Sequence, residues 1–114
     1  MPTRLCTEAE LEAAFAAEEF LLFKHSPRCG ISAAAFAEFQ RFASDHPELS
    51  CGWIDVLEER ALARAVSART GIPHESPQAI WLARGAPRWS AAHGAITARS
   101  LASARGSSAA RPSA

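Results

Sequence analysis

The chain reads as an α/β protein with a four-stranded mixed sheet flanked by helices, and three observations carry that reading. A continuously apolar run, Phe20-Leu21-Leu22-Phe23, ends near Ser26-Pro27 and leads directly into helical periodicity. A second strand-like run, residues 51–57, follows that helix, and two strands joined through a helix require a right-handed parallel crossover. Residues 78–84 and 87–92 then flank Gly85-Ala86, which is the pattern of an antiparallel hairpin.

Each element has a local cause. Thr7 followed by Glu10 has the form of a capping box, and Leu11, Ala14 and Phe15 recur at helical spacing, so the first helix is expected over residues 8–17. Residues 19–24 form a short buried strand. From Gly30 to residue 44, Ile31, Ala35, Phe36, Phe39 and Phe42 make one apolar face while Glu38 and Arg41 are left for solvent, and Asp45-His46-Pro47 ends the helix. Trp53, Ile54 and Val56 mark the next strand. Residues 58–70 return to helical composition and close at Gly71, with Arg60, Arg64 and Arg69 as a solvated face. Residues 72–77 are a loop, the hairpin follows, and residues 97–104 make a last short helix. Trp53, Trp81 and Trp89 fall on strands, where they chiefly pack. Residues 1–105 are expected as one domain, and the Gly-, Ser-, Ala- and Pro-rich residues 106–114 as a disordered tail.

A chain of 114 residues, 48% of them hydrophobic, suffices for one core and no more. Lysine plus arginine equals aspartate plus glutamate, twelve each, so nothing in the charge points to nucleic acid or to an acidic membrane surface. A small or neutral partner fits better. Glutamates at 8, 10, 12, 18 and 19 interrupt any leader-like pattern, and the apolar runs fall far short of the roughly 20 residues of a membrane span. A cytoplasmic protein is expected. Cys6, Cys29 and Cys51 are odd in number and widely spaced, which suits free or catalytic thiols in a reducing compartment better than a disulfide framework. None has a neighbour at zinc-site spacing, and no metal site is expected.

Chemistry concentrates at Cys29. The cysteine stands at a helix start, where unsatisfied backbone N–H groups carry partial positive charge, and Lys24, His25 and Arg28 add cationic groups nearby in sequence. Such surroundings favour the anionic sulfur, the nucleophilic form. Cys51 opens an apolar strand and reads as core. His46 beside Pro47 is a helix-end residue, whereas His25, His74 and His93 either converge on the cysteine or satisfy loop hydrogen bonds. Ser76-Pro77 stands just before the third strand, where the thioredoxin superfamily, which this order of elements resembles, carries a cis-proline, and the resemblance implies a cis peptide there.

The order of elements is thioredoxin-like, and the strand, the Cys29-Gly30-Ile31-Ser32 turn and the helix together resemble the redox motif of the thioredoxin superfamily, with Ser32 where a second cysteine would stand. Further segments match in order: Phe23-Lys24-His25-Ser26, Arg28-Cys29, Ile31-Ser32, Asp55-Val56, His74-Glu75-Ser76-Pro77-Gln78-Ala79 and Ala92-His93. Over roughly residues 7–102 the chain resembles the monothiol bacilliredoxin family of the bacillithiol system. That resemblance implies a thiol-disulfide oxidoreductase that reduces mixed disulfides between protein cysteines and bacillithiol. Cys29 would attack and Ser32 would stand beside it. Lys24, His25, Arg28, Gly30, Ser76, Pro77 and His93 would bind or position the disulfide. No tightly bound cofactor is implied; bacillithiol or another low-molecular-weight thiol would be co-substrate and S-thiolated proteins the clients. Gly30 stands where the family usually has proline, and Gly94 where an aromatic residue would follow His93.

Two other classes of function share these residues. Cys29-Gly30-Ile31-Ser32 is one residue away from the CGFS turn of monothiol glutaredoxins, in which the cysteine is an iron-sulfur cluster ligand. A non-catalytic interaction module on the same fold is the other.

Overall fold

The computed structural model describes residues 2–110, and side chains of residues 2–105. Five strands form one sheet in the order β1-β3-β2-β4-β5: β1 is Thr3–Arg4, β2 Phe20–His25, β3 Cys51–Asp55, β4 Gln78–Ala83 and β5 Ala86–Ala92. The helices are α1 Glu8–Ala16, α2 Gly30–Asp45, α3 Arg60–Thr70 and α4 Ala98–Ala110, with a 3-10 turn at His93–Ala95. β3 runs parallel to β2 and β1, whereas β4 is antiparallel to β2 and β5 to β4. The expected crossover and hairpin are both present.

Strand alternation divides the core into two halves. Leu22, Ile54, Ile80 and Leu82 pack beneath α1 and α3, against Leu11, Phe15, Leu62 and Val66. Leu21, Phe23, Ala79 and Trp81 face the other way, against Phe39 and Phe42 of α2 and Leu101 of α4. A strand buried on both faces has no alternation to display, which is why β2 is apolar throughout its middle.

The sheet has five strands where four were expected, because β1 is a two-residue strand with no periodicity of its own. It is fixed from outside. Thr3 pairs with Gly52 and Arg4 with Trp53, and the Leu5 N–H donates to the Trp53 carbonyl at 2.8 Å. Gly52 makes the approach possible: a Cβ there would lie 2.8 Å from the Thr3 carbonyl oxygen and 3.0 Å from the Phe20 ring.

The hairpin turn lies one residue earlier than expected. Ala83 pairs with Ala86, so the two-residue loop is Arg84-Gly85, and both φ values are positive (50° and 81°), as a type I′ turn requires. α1 carries the full capping box, the Glu10 N–H donating to Thr7 Oγ1 at 3.1 Å while Glu10 Oε1 accepts from the Thr7 N–H. α4 continues to Ala110, beyond residue 104 and into the stretch read as a tail. Alanine has the highest helix propensity, and no proline intervenes before Pro112. Residues 111–114 of that expected tail lie outside the described residues. Among the described residues no helix is long and apolar enough to cross a membrane.

Candidate functional site

β2 and β3 run parallel and in register, His25 opposite Asp55, so the chain leaves both strands at one edge of the sheet. β4 runs the other way and begins at that edge, with Gln78 opposite Lys24. Cys29, the β3–α3 connection and Ser76-Pro77 are therefore neighbours by topology. The Val56 N–H, donating to the His25 carbonyl at 3.0 Å, ties the first two together.

Cys29 is the N-cap residue of α2, with extended backbone (φ −115°, ψ 125°). Its carbonyl accepts from the Ala33 N–H at 3.0 Å, the first hydrogen bond of the helix, and its own N–H donates to the Ser26 carbonyl at 3.2 Å. The backbone is thus fixed on both sides of the sulfur, while the thiol is half-buried and makes no capping hydrogen bond. Gly30, the first helical residue, is exposed, and a Cβ there would meet nothing within 4 Å. Ile31 in the first turn of α2, 57% exposed, and Leu57 in the β3–α3 connection, 43% exposed, leave apolar surface at this edge.

Ser32 has a different task from the one its place in the motif implies. It is 0% exposed, and its Oγ accepts from the Ser26 N–H at 2.9 Å and lies 2.9 Å from His25 Nδ1. With one lone pair engaged by Ser26, the hydroxyl retains a proton and a second lone pair, so it donates to or accepts from Nδ1 according to the His25 tautomer. Ser32 thereby fastens the loop preceding Cys29 to the end of β2.

His25 is an aromatic wall and not the cation its position suggested. Its ring stacks on Phe36 (centroids 4.2 Å, planes 13° apart) and meets the edge of Trp53 at 5.7 Å. Burial lowers its pKa from the ordinary histidine value, against a smaller opposing pull from Asp55. Asp55 itself turns the chain toward α3: its Oδ1 accepts from the Leu57 and Glu58 N–H groups at 2.9 and 3.0 Å.

Lys24 points away from the α2 face. Adjacent strand residues face opposite sides, so Lys24 shares its side with Leu22, toward α3, while His25 shares its side with Phe23. It is 0% exposed, and its Nζ donates to Ser67 Oγ at 3.0 Å and to His74 Nδ1 at 3.1 Å. Burial pushes its pKa down to about 8. His74 is also lowered, first by burial and then by the Lys24 charge. Arg28 is exposed on the turn before Cys29.

The Ser76–Pro77 peptide is cis. Its loop is held from two sides. The His93 N–H donates to the Pro77 carbonyl at 3.1 Å and His93 Nε2 lies 2.9 Å from Glu75 Oε1, while Gln78 Nε2 donates to the Pro73 carbonyl at 3.1 Å. Ser76 Oγ and Gln78 Oε1 are buried without a hydrogen-bond partner among the described residues. His93 has φ 57°, a left-handed conformation that any side chain but glycine adopts at a cost.

Cys51 belongs to the core: it is buried, and burial raises its pKa. It pairs with Leu21 at the opposite end of β2, so four residues of strand, roughly 13 Å, separate it from the edge where Cys29 sits. A disulfide needs Cα atoms within about 7 Å, so Cys51 is out of reach as an intramolecular resolving thiol. Cys6 is exposed. Among the described residues no three His, Cys, Asp or Glu side chains are placed to share a metal ion.

The structure brings together Cys29, Ser32, His25 and the Ser76-Pro77 loop as a group of edge residues, and directs Lys24 elsewhere. The sequence reading missed the Lys24–Ser67–His74 cluster, although the alternation of Leu22 and Lys24 along one strand was signal enough. It also missed the Phe36 and Trp53 walls around His25, which require tertiary packing to see.

Comparison with known proteins places this geometry. A family model described as monothiol bacilliredoxin BrxC matches residues 3–101. Among solved structures, a thioredoxin-fold protein proposed to be an oxidoreductase is 30% identical, with a TM-score of 0.85 and coverage of 91% of this chain and 93% of that one. A thioredoxin variant from Halobacterium salinarum NRC-1 is 21% identical, with a TM-score of 0.70 and coverage of 88% and 83%. Thioredoxin from Trypanosoma brucei brucei is 8% identical, with a TM-score of 0.78 and coverage of 94% and 89%. The last two show the fold alone.

Proposed function

The chain belongs to the monothiol bacilliredoxin family, which carries a thiol redox role, and from that premise we propose that Cys29 removes bacillithiol from S-thiolated protein cysteines. The observation that carries this reading is a half-buried thiol at the N-cap of α2, on the same sheet edge as the Ser76-Pro77 loop, with serine at the motif's second position and Cys51 at the far end of the strands. A motif with Ser32 in place of the second cysteine exchanges disulfides but cannot close one within the motif.

The chemistry balances in two steps. The Cys29 thiolate attacks the small-thiol sulfur of the mixed disulfide; a new S–S bond forms on Cys29, the old one breaks, and the client leaves as a thiolate that takes a proton from solvent. A second molecule of small thiol, as its thiolate, attacks the adduct and leaves as the symmetric small disulfide, returning Cys29 reduced. Overall one free small thiol is oxidised, joined to the one the mixed disulfide already held, and one client cysteine is reduced. Cys29 stands at the N-terminus of α2, where the helix dipole favours negative charge, and Pro77 has no N–H to satisfy, which suits its loop to an incoming chain.

Mass spectrometry of a bacillithiol-modified client tests the reading. The protein is expected to release unmodified client and to carry a one-to-one bacillithiol adduct on Cys29, and Cys29→Ser to lose at least about 1000-fold in rate, the scale for deleting a nucleophile. Release by Cys29→Ser at the wild-type rate would overturn it.

A further inference from the structure

We propose that a cavity at the start of α3, lined by Arg60, Arg64 and His74, binds the carboxylate end of the low-molecular-weight thiol that Cys29 exchanges. The proposal rests on the exchange reading above and names what that reading leaves open, namely which part of the protein recognises the small thiol.

The cavity is about 280 Å³, and its remaining lining is Val56, Leu57 and Ala63. That volume suits part of a small molecule and not a folded partner. Arg60 and Arg64 are four residues apart, so they project from one side of α3 about one turn from each other. Neither is ion-paired with a described residue, in contrast to Arg69, which holds Glu12 at 2.9 Å, and Arg105, which holds Glu48 at 2.8 Å. The sequence suggested one solvated arginine face; the structure separates Arg69 from the other two.

The ionisable side chains that line this space are all basic. Lys24 Nζ lies 3.1 Å from His74 Nδ1 and adds a buried ammonium behind it. The nearest acid on that loop, Glu75, is engaged with His93 at 2.9 Å. Glu58 and Glu59 adjoin Arg60 in sequence but do not line the cavity. Two guanidinium groups over an apolar floor match a ligand with one or two carboxylates and a short carbon frame, since each planar fork pairs a carboxylate in a bidentate manner.

The position fits the chemistry at Cys29. Val56 is bonded to the end of β2, and His74 precedes Ser76 by two residues, so the lining of the cavity belongs to the loops at the edge that bears the thiol. A thiol of more than one building block, its sulfur on Cys29 and its charged end between the arginines, would lie along this edge.

Two measurements test this on the full chain. One client protein is modified either with bacillithiol or with uncharged 2-mercaptoethanol, and kcat/KM for the two is compared in wild type and in Arg60→Gln/Arg64→Gln. The bacillithiol-to-mercaptoethanol ratio is expected to fall about tenfold or more in the double variant, the loss of roughly one charge-assisted pair. In parallel, amide NMR shifts are followed on adding succinate, a dicarboxylate with no thiol. Saturable shifts at Leu57, Arg60, Arg64 and His74 are expected in wild type and absent from the double variant. An unchanged ratio, or no saturable succinate shift, overturns the proposal. If wild type exchanges neither modified client yet still binds succinate, the exchange reading falls and the cavity stands as a carboxylate site alone.

Discussion

Lys24 shows how a single buried charge sets a stability profile. The ammonium is removed from water and given only a hydroxyl and an imidazole, with no carboxylate in contact. The interval between about 8 and the ordinary 10.5 corresponds to roughly 3 kcal/mol against the charged form. An apolar side chain of similar length avoids that penalty, and both polar partners lie close enough to the surface for water to replace the lost bonds. Lys24→Met is therefore expected to stabilise the fold at pH 7 by about 1–2 kcal/mol. The gain should vanish near pH 10, where the wild-type lysine is already neutral in the folded state. Urea unfolding at the two pH values checks this, and a loss of stability at pH 7 would show that the Ser67 and His74 bonds outweigh desolvation.

The start of α2 is the element on which the thiol depends, and Gly30 is its loosest point. Glycine at the first helical position costs more conformational entropy than any other residue, while proline is preferred there because its fixed φ matches the helix and its missing N–H is not needed. Cys29, with φ −115° and ψ 125°, already has the backbone that a residue before proline must adopt, and nothing lies within 4 Å of the Gly30 Cβ position. Gly30→Pro is expected to raise stability by about 0.4–1 kcal/mol, seen as a rise of several degrees in Tm. A fall in Tm would mean that the turn requires the glycine. Elements of this size were largely legible from sequence: the Thr7/Glu10 cap, the Ser26-Pro27 break and Gly71 each act through local geometry that two or three residues encode. β1 was not, because Thr3-Arg4 becomes a strand only through Gly52 on a distant part of the chain. The site was legible to the same extent. Cys29, Ser32 and Ser76-Pro77 are marked by motif and position, whereas the direction of Lys24 and the neutral, stacked state of His25 depend on which helix covers which face of the sheet.

Across the whole molecule the buried bases Lys24, His25 and His74 act in one direction. His25 and His74 both have pKa values lowered by burial, so below about pH 6.5 the unfolded chain takes up protons that the folded chain refuses. Folded stability is consequently complete above that pH and falls as the pH drops toward the lowered values. Lys24 contributes the same sign higher up, adding stability as the pH rises from about 8 toward 10. Opposing these at the alkaline end, the raised Cys51 thiol means that the unfolded chain ionises first there, and stability is lost above the ordinary cysteine value. The urea midpoint is therefore expected to climb between pH 5 and pH 7.5. His25→Phe should flatten that climb, because the substituted ring keeps the stack on Phe36 but has no proton to gain. It also leaves the Ser32 hydroxyl without its imidazole partner, so the variant should be less stable than wild type at pH 7.5 by about 1 kcal/mol and the difference should narrow on acidification. A variant whose midpoint climbs as steeply as that of wild type would place the proton-linked transition elsewhere, with His74 the next group to replace.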